Sequence, residues 1–189
     1  WWYGNAREQF LSELASHLDN HQWWSPKLQP WDHVELGGGP RPQYHPNLDA
    51  LAGEGVDWVV DLAKEDLPFF DATVGHFYSS HFLEHLTYKR AIQLLRDCYR
   101  ALWVNGRIEL VIPDMERAID RHNIYHIINT PEIMRIILGE QTNDYQYHQG
   151  WYSGDLVEFI LYSVGFRDVK LTAERTGVDP CFTIEARKP

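Results

Sequence analysis

The feature that most constrains the fold of this chain is a run of three glycines directly after a short apolar segment. The stretch reads HVELGGGPRPQYHPNLDA over residues 33–50. Glycine has no Cβ, so such a run lets the backbone turn sharply or lie against another molecule. A glycine-rich turn after a strand is typical of folds that bind phosphates, dinucleotides or nucleosides. The stretch therefore predicts a ligand site.

Strand and helix signals alternate along the chain. Apolar segments predict strands at residues 34–36, 47–50, 58–62, 75–80 and 107–113. Helical spacing of apolar residues predicts helices at residues 6–19, 88–102, 115–121, 131–138 and 153–164. The second helix is expected to stop at the turn pair Asn105-Gly106. Segments 169–173 and 181–186 predict a hairpin. This order predicts an α/β protein with a Rossmann-like, doubly wound, mostly parallel sheet and a C-terminal antiparallel hairpin.

Length and composition limit the class of protein. The 189 residues are enough for one domain that buries its own core. A formal net charge of -10 disfavours binding to nucleic acid. Cys98 and Cys181 lack the spacing of a redox or metal motif, which suits a reducing compartment or a core role for both. We recognise no secretory signal and no bilayer-length apolar run, so we expect a cytoplasmic protein without a membrane partner.

The residues around the glycines narrow the choice of ligand. The phosphate loop of nucleotide hydrolases needs Lys followed by Ser or Thr after its glycines, but Pro-Arg-Pro follows here. A dinucleotide fingerprint needs a third glycine that opens a helix, whereas Pro42 and its neighbouring prolines leave no room for one. What remains is ExGxG from Glu35 to Gly39, with Asp49 at the end of the next strand, where it can hold a ribose diol. Such a site suits an uncharged nucleoside that carries a positive sulfur.

Other polar residues end neighbouring strands. Asp61 and the pair Ser79-Ser80 stand at or just past predicted strand ends, as the glycines and Asp49 do. In parallel α/β sheets, ligands bind beyond the carboxyl ends of the strands, where the strand order reverses. We therefore expect these residues to form one site at one edge of the sheet.

Five segments, in order, resemble the motifs of the class I S-adenosylmethionine-dependent methyltransferases. They are ELGGG at 35–39, Asp49, VVDLAKEDLPF at 59–69, SSHFLEHL at 79–86 and VNGRIELVIPD at 104–114. The likeness is closest to the small kind with a short loop after the first strand. It is dense over 33–114 and looser over 150–188, and the rest of the chain matches none of the family's motifs. The resemblance implies S-adenosylmethionine as cofactor and methyl transfer to a small molecule, such as a sugar or another polar metabolite.

The resemblance also implies roles for the residues after the first two strands. Gly37 and Gly39, with Gly38 between them, would let the backbone approach the methionine part of the cofactor. Glu35 would orient this turn. Asp49 would bind the ribose hydroxyls.

Past the third and fourth strands, the resemblance implies contacts to the adenine and the sulfur. Asp61 would accept a hydrogen bond from the exocyclic amine, and Leu62 would cover the ring. Ser79, Ser80 and His81 would line the sulfur end. An acid at a strand end is also commonly a turn former or a helix cap, so that alternative stays open for both acids.

Methyl transfer requires mainly the alignment of a nucleophile with an activated methyl group. An oxygen or neutral nitrogen nucleophile can also need a base. The candidate bases are His81, Asp114 and His148, although a histidine or aspartate in a polar, aromatic loop is more commonly a hydrogen-bonded surface residue. No metal is expected, because the paired acids typical of a magnesium-bound catechol are missing from the sequence.

Three alternatives stay open beside this interpretation. His81, Glu84 and His85 form HxxEH, the zinc signature of a peptidase class in which the glutamate is the base. This alternative is a zinc hydrolase. The second is a non-catalytic protein on the same fold that still binds the cofactor. The third is a nucleotide-sugar or NAD enzyme with an altered loop.

The chain is expected to form a single domain with four parts. These are an N-terminal helix and aromatic connector, a cofactor-binding core, a substrate-side insertion, and a last helix with the hairpin, at 1–32, 33–114, 115–152 and 153–189. The insertion is rich in histidine, tyrosine and isoleucine. We predict that it covers the methyl-transfer mouth together with the N-terminal aromatic segment. Aromatic contacts in a homodimer would produce the same composition.

Overall fold

A mixed sheet of seven strands forms the centre of the chain, for which a computed structural model describes residues 30–119, 130–175 and 180–189. The strands are β1 (Val34–Leu36), β2 (Asn47–Asp49), β3 (Trp58–Val59), β4 (Val74–Ser80), β5 (Leu102–Pro113), β6 (Arg167–Arg175) and β7 (Cys181–Arg187). Their order across the sheet is β3-β2-β1-β4-β5-β7-β6. The first five strands pair in parallel, whereas β7 is antiparallel to both β5 and β6.

Helices lie in the connections between the strands. They are α1 (Tyr88–Ala101), α2 (Thr130–Leu138), α3 (Gly154–Val164) and a short 3-10 helix (Leu83–His85), and residues 115–119 are also helical. Polar caps begin two of them, because Thr87 Oγ1 accepts from Arg90 N before α1 and Ser153 Oγ accepts from Leu156 N before α3. No helix within the described ranges has both the length and the apolar character that a bilayer crossing requires.

The strand order reverses at β1. From β1 the chain moves outward to β2 and β3, and it then returns to the other side of β1 with β4 and β5. Leu36, at the end of β1, pairs with Leu48 on β2 and with Ser79 on β4. The carboxyl ends of the three central strands therefore meet at one edge, where ligands bind in sheets of this kind.

The predicted fold class is confirmed. The sheet is mostly parallel, and β6 and β7 form the expected antiparallel hairpin. Every predicted strand overlaps an observed one, although β3 is shorter than the apolar segment that predicted it. The predicted helix at 6–19 lies outside the described residues.

The junction between α1 and β5 differs from the prediction. The helix was expected to continue through Leu102, but it ends one residue earlier, and β5 begins at Leu102 itself. Leu102 pairs with Val74, after which the register shifts before pairing continues. Asn105, with φ of 63°, lies in this irregular part of the strand. The turn pair therefore marks an irregularity inside a strand and not the end of a helix.

The central strand β4 is buried almost throughout and includes a histidine. His76 is 3% exposed, and its Nδ1 lies 3.0 Å from Nδ1 of His33. Its Nε2 has no hydrogen-bond partner among the described residues. Burial lowers the pKa of His76 from 6.5 to about 4, and the charges of Arg107 and His33 act in the same direction.

This buried histidine should make the stability of the protein depend on pH. Below pH 6.5 His76 takes up a proton in the unfolded chain, whereas in the folded chain it stays neutral until about pH 4. The stabilisation of the folded state by the neutral His76 is therefore fully present above pH 6.5 and is lost as the pH falls toward 4. We expect the free energy of unfolding to decrease by about 2 to 3 kcal/mol from this group over that range.

Chemical denaturation of the wild type and of His76→Phe, at pH 7 and at steps down to pH 4, measures this effect. The variant should lose less stability on acidification than the wild type, because its ring cannot take up a proton. His45→Phe is the matched control, since His45 is an exposed histidine. Equal pH dependence in the wild type and His76→Phe would assign the effect to other groups.

Candidate functional site

The turn after β1 forms one wall of a cavity of about 550 Å³. We call this the glycine-loop cavity, and its lining includes Gly37, Gly39, Asp49, Leu62 and His81. These residues follow or end β1, β2, β3 and β4. The structure thus brings one residue or more from each of these strand ends into a single cavity.

Two glycines of the turn have backbone angles that favour glycine. Gly37 and Gly39 have φ of 70° and 57°, in the left-handed region. A Cβ at Gly37 would overlap the ring of Phe82, whereas a Cβ at Gly39 would meet no described atom within 4 Å. Gly37 is therefore required for packing within the protein. Gly39 leaves its backbone open toward the cavity.

The turn is fixed by hydrogen bonds to β2. The N–H groups of residues 37, 38 and 39 donate in turn to the Leu48 carbonyl at 2.8 Å, to Asn47 Oδ1 at 3.0 Å and to Asp49 Oδ2 at 3.0 Å. Asn47 is fully buried, and its Nδ2 returns a hydrogen bond to the Gly39 carbonyl at 2.9 Å. The sequence gives little indication of this role for Asn47, since its only signal is a polar residue at the start of a short strand.

Glu35 holds the residues that follow the turn. It is 3% exposed, and its Oε2 accepts from the N–H groups of Gln43 at 2.5 Å and Tyr44 at 2.7 Å. Burial raises the pKa of Glu35, and these two hydrogen bonds oppose that shift without cancelling it. Glu35 and Gly38 do not line the cavity. Glu35 shapes the turn from behind.

Asp49 connects the turn to the start of the next loop. Its Oδ2 accepts from Gly39 N, and its Oδ1 accepts from Leu51 N at 2.9 Å. An ionised carboxylate offers about four lone-pair sites, so each oxygen retains capacity for a further donor. The carboxylate is half-buried in the cavity wall. It can therefore accept hydrogen bonds from a ligand diol while it holds the turn.

Asp61 lines the same cavity and forms a turn of its own. Its Oδ1 accepts from Ala63 N at 3.0 Å, and its Oδ2 lies 2.7 Å from Lys64 Nζ and 3.3 Å from the Tyr145 hydroxyl. Partial burial acts to raise the pKa of Asp61, but these hydrogen bonds outweigh it and lower the pKa overall. The adjacent Leu62 is 2% exposed and contributes apolar surface to the cavity.

The segment between α2 and α3 forms part of the lining of the glycine-loop cavity. Residues 143–146 and Gln149 line it, and the Tyr145 hydroxyl donates to Asp61. Lys64 Nζ lies 5.9 Å from the centroid of the Tyr145 ring. This segment belongs to the region predicted to cover the site. The N-terminal aromatic segment of the same prediction lies outside the described residues.

At the end of β4, the structure separates the predicted residues. Ser79 is 3% exposed and Ser80 is half-buried, and neither lines a described cavity. His81, just past the strand, lines the glycine-loop cavity with a left-handed φ of 52°. A non-glycine residue with this angle is uncommon and is often found at functional sites.

A second cavity of about 300 Å³ shares a wall with the first. We call it the histidine cavity, because its lining includes His81, Glu84, His85 and His148. His81, His85 and Gln146 line both cavities. The two spaces are therefore neighbours.

Backbone contacts build the histidine cavity. The Glu84 carbonyl accepts from Gln149 N at 2.7 Å and from Gly150 N at 3.0 Å. These two hydrogen bonds hold the segment between α2 and α3 against the 3-10 helix. Gly139, with φ of 84°, allows the chain to fold back closely, since a Cβ there would overlap the Gln146 carbonyl. These contacts bring His148 beside Glu84.

The three candidate bases have different surroundings. Asp114 is 8% exposed and lines neither cavity, and its Oδ1 accepts from Arg117 N at 3.1 Å, as a helix cap does. His148 lines the histidine cavity, and its Nδ1 donates to the Ile136 carbonyl at 2.9 Å. Burial lowers the pKa of His148, which favours the neutral imidazole. His81 and His148 are thus the two candidates that reach a cavity.

The HxxEH segment does not have the helical geometry that the zinc peptidase alternative needs. His81 precedes the 3-10 helix, and its left-handed backbone takes it out of any helical face shared with His85. Its Nδ1 lies 3.6 Å from Glu84 Oε1. The peptidase motif requires both histidines one turn apart on the same helix.

Comparison with known proteins supports the architecture. No family model and no curated protein sequence matches this chain. An S-adenosylmethionine-dependent methyltransferase from Archaeoglobus fulgidus is similar in structure, with a TM-score of 0.59 and 16% identity, over 96% of this chain and 94% of that one. A possible histamine N-methyltransferase from Thermotoga maritima has a TM-score of 0.57 and 14% identity, over 84% and 82% of the two chains.

A third similar structure contains the cofactor. Phosphoethanolamine N-methyltransferase 2 from Haemonchus contortus, solved in complex with S-adenosyl-L-methionine, has a TM-score of 0.57 and 13% identity over 96% of this chain. The match covers 52% of that protein, so this chain spans about half its length. These likenesses agree with the observed strand order and the antiparallel β7. The chain therefore has the fold of the class I S-adenosylmethionine-dependent methyltransferases.

Proposed function

We propose that this protein is a methyltransferase that binds S-adenosylmethionine in the glycine-loop cavity and a small polar acceptor in the histidine cavity. One observation supports this proposal most strongly. An open glycine backbone, a carboxylate and an apolar wall line a single cavity at the edge of the sheet where the strand order reverses. The methyltransferase fold supports the same function.

Each part of the cofactor has a chemical counterpart in the cavity wall. The remaining lone pairs of Asp49 would accept hydrogen bonds from the two ribose hydroxyls. Leu62 would cover the adenine, and the open backbone at Gly39 would lie against the methionine part. A volume of about 550 Å³ is within the usual range for cofactor-sized ligands.

The charge around the cavity also suits this cofactor. Its acidic lining residues are Asp49, Glu54, Asp61 and Asp144, and Lys64 is its basic one. Lys64 is itself paired with Asp61. A negative lining attracts the positive sulfonium of S-adenosylmethionine.

The shared wall suggests where the methyl group would pass. His81 lines both cavities, so the sulfonium would lie on one side of it and the acceptor on the other. A lone pair of the acceptor would form a bond to the methyl carbon as the carbon–sulfur bond breaks, which releases S-adenosylhomocysteine. A hydroxyl or neutral amine acceptor would give its proton to a base. Of the three candidate bases, His81 and His148 are the two that reach a cavity.

The ribose contact can be tested by removing the carboxylate. Asp49→Ala should weaken binding of S-adenosylhomocysteine at least tenfold in calorimetry, because loss of a charge-assisted contact costs about 1.5 to 3 kcal/mol. Asp97→Ala is the matched control, since Asp97 also accepts from a backbone N–H but lines neither cavity. Its affinity should equal that of the wild type.

Asp49 also holds the turn, so a second ligand separates the two effects. An analogue of S-adenosylhomocysteine that lacks the two ribose hydroxyls should bind the wild type and Asp49→Ala with similar affinity. If the variant loses affinity equally for both ligands, Asp49 acts on the turn and not on the ribose. If the wild type binds neither ligand, the cofactor assignment is wrong.

The open space at Gly39 gives a second test. Gly39→Ala adds a methyl group that meets no described protein atom, so the left-handed backbone is the main cost to folding, at about 1 to 2 kcal/mol. The same methyl group should take up space needed by the ligand and weaken binding of S-adenosylhomocysteine at least tenfold. Calorimetry and thermal unfolding measure the two effects. Full affinity in a folded variant would show that the ligand does not approach this backbone.

Turnover separates an enzyme from a protein that binds the cofactor only. We expect release of S-adenosylhomocysteine from S-adenosylmethionine to rise with one member of a panel of sugars and other polar metabolites. His81→Ala should reduce that release. Calorimetry with S-adenosylhomocysteine shows whether the variant still binds the cofactor. Cofactor binding without release for any acceptor would favour the non-catalytic alternative.

A further inference from the structure

Three side chains with metal-binding atoms converge in the histidine cavity. Glu84, His85 and His148 each offer one donor atom, and these atoms lie within 4.8 Å of one another. Glu84 and His85 are consecutive in the 3-10 helix. His148 reaches them from the segment that follows α2. This set differs from the HxxEH set, because His148 takes the place of His81.

Backbone carbonyls fix the protonation of both histidines. His85 Nδ1 lies 3.2 Å from the Tyr147 carbonyl, and His148 Nδ1 lies 2.9 Å from the Ile136 carbonyl. A carbonyl oxygen only accepts, so each Nδ1 must carry a proton, and in the neutral ring this leaves the lone pair on Nε2. Histidines that bind metals are commonly oriented in this way by a hydrogen bond from the other ring nitrogen.

The carboxyl group of Glu84 has an unsatisfied oxygen. Glu84 is 1% exposed and lines the histidine cavity, and its Oε2 has no hydrogen-bond partner among the described residues. Its Oε1 is 3.6 Å from His81 Nδ1, too far for a normal hydrogen bond. A buried carboxylate oxygen without a partner is unfavourable, and a cation in the cavity would supply one.

We propose that Glu84, His85 and His148 bind one divalent transition-metal ion of the zinc type in the histidine cavity. Two imidazole nitrogens and one carboxylate oxygen form a ligand set that Zn²⁺ and Fe²⁺ accept. Mg²⁺ and Ca²⁺ prefer sites built from oxygen ligands, so they fit this set poorly. This proposal departs from the expectation, based on the sequence, that no metal is bound.

The donor atoms must move closer together when the ion binds. Ligands of a tetrahedral zinc ion at about 2.1 Å lie roughly 3.4 Å from one another. The largest separation here is within 4.8 Å, so closure by about an ångström is needed. The two rings are only partly buried and can make this adjustment.

Three protein ligands leave at least one coordination position for another molecule, as in catalytic zinc sites. That position would face the histidine cavity, near the wall that His81 shares with the glycine-loop cavity. The ion would then hold an oxygen or nitrogen of the acceptor. With His148 as a ligand, His81 would be the remaining candidate base. This use of the ion rests on the proposed function, whereas the metal site itself does not.

Cobalt titration tests the site without any methyl acceptor. Protein treated with a chelator and then desalted is titrated with Co²⁺, whose visible absorption reports coordination, and Zn²⁺ is added in competition. We expect the wild type to bind one equivalent of Co²⁺, which Zn²⁺ displaces. Glu84→Gln and His148→Ala should each weaken Co²⁺ binding at least tenfold. His45→Ala is the control, because His45 pairs with Asp57 and lines neither cavity.

The outcomes separate this proposal from the proposed function. Absence of stoichiometric Co²⁺ and Zn²⁺ binding in the wild type overturns the metal site, and so does unchanged affinity in both Glu84→Gln and His148→Ala. Thermal unfolding shows whether each variant folds, and His148→Gln replaces His148→Ala if that variant does not. If the wild type binds S-adenosylhomocysteine but no metal, the metal site is overturned and the methyltransferase proposal stands. If it binds metal but no S-adenosylhomocysteine, the metal site stands and the proposed function is overturned.

Discussion

The site depends on the hydrogen bonds between the glycine turn and β2. Residues 37–39 are glycines without side chains that could fix the shape of the turn, so the neighbouring strand must fix it. Asn47 holds the turn from the buried side, and Asp49 holds it from the side of the cavity. Because β2 is itself paired with β1, the turn is anchored to the centre of the sheet. A ligand would therefore meet a wall that is already in place.

Most of the fold and one wall of the site could be predicted from the sequence. Alternating strand and helix signals specify a parallel α/β sheet, and the carboxyl ends of parallel strands meet at one edge wherever the helices lie. This is why Gly37, Asp49 and Asp61 could be assigned to one site from short segments far apart in the chain. They do line a single cavity. Their contacts to a cofactor are still predictions.

The sequence does not predict which of several consecutive residues at a strand end lines the cavity. Ser79, Ser80 and His81 are consecutive, yet His81 alone lines a cavity, because it lies just beyond the strand and has a left-handed backbone. The histidine cavity depends on the close return of the chain at Gly139, which brings His148 against the 3-10 helix. No local pattern in the sequence gives such a contact. The same limit applies to Asn105, whose turn signal did not reveal that it lies inside a strand.

The hydrogen bonds of the turn have a consequence for selectivity among nucleotides. Loops that cradle phosphate do so with backbone N–H groups that point at the anion. In this protein the N–H groups of residues 37, 38 and 39 are all committed to acceptors on β2. A triphosphate or pyrophosphate would therefore find no free donor in this turn and would face Asp49 instead. Under the proposed function, the cavity should therefore disfavour ATP and NAD and accept an adenosine unit whose 5′ substituent carries no phosphate.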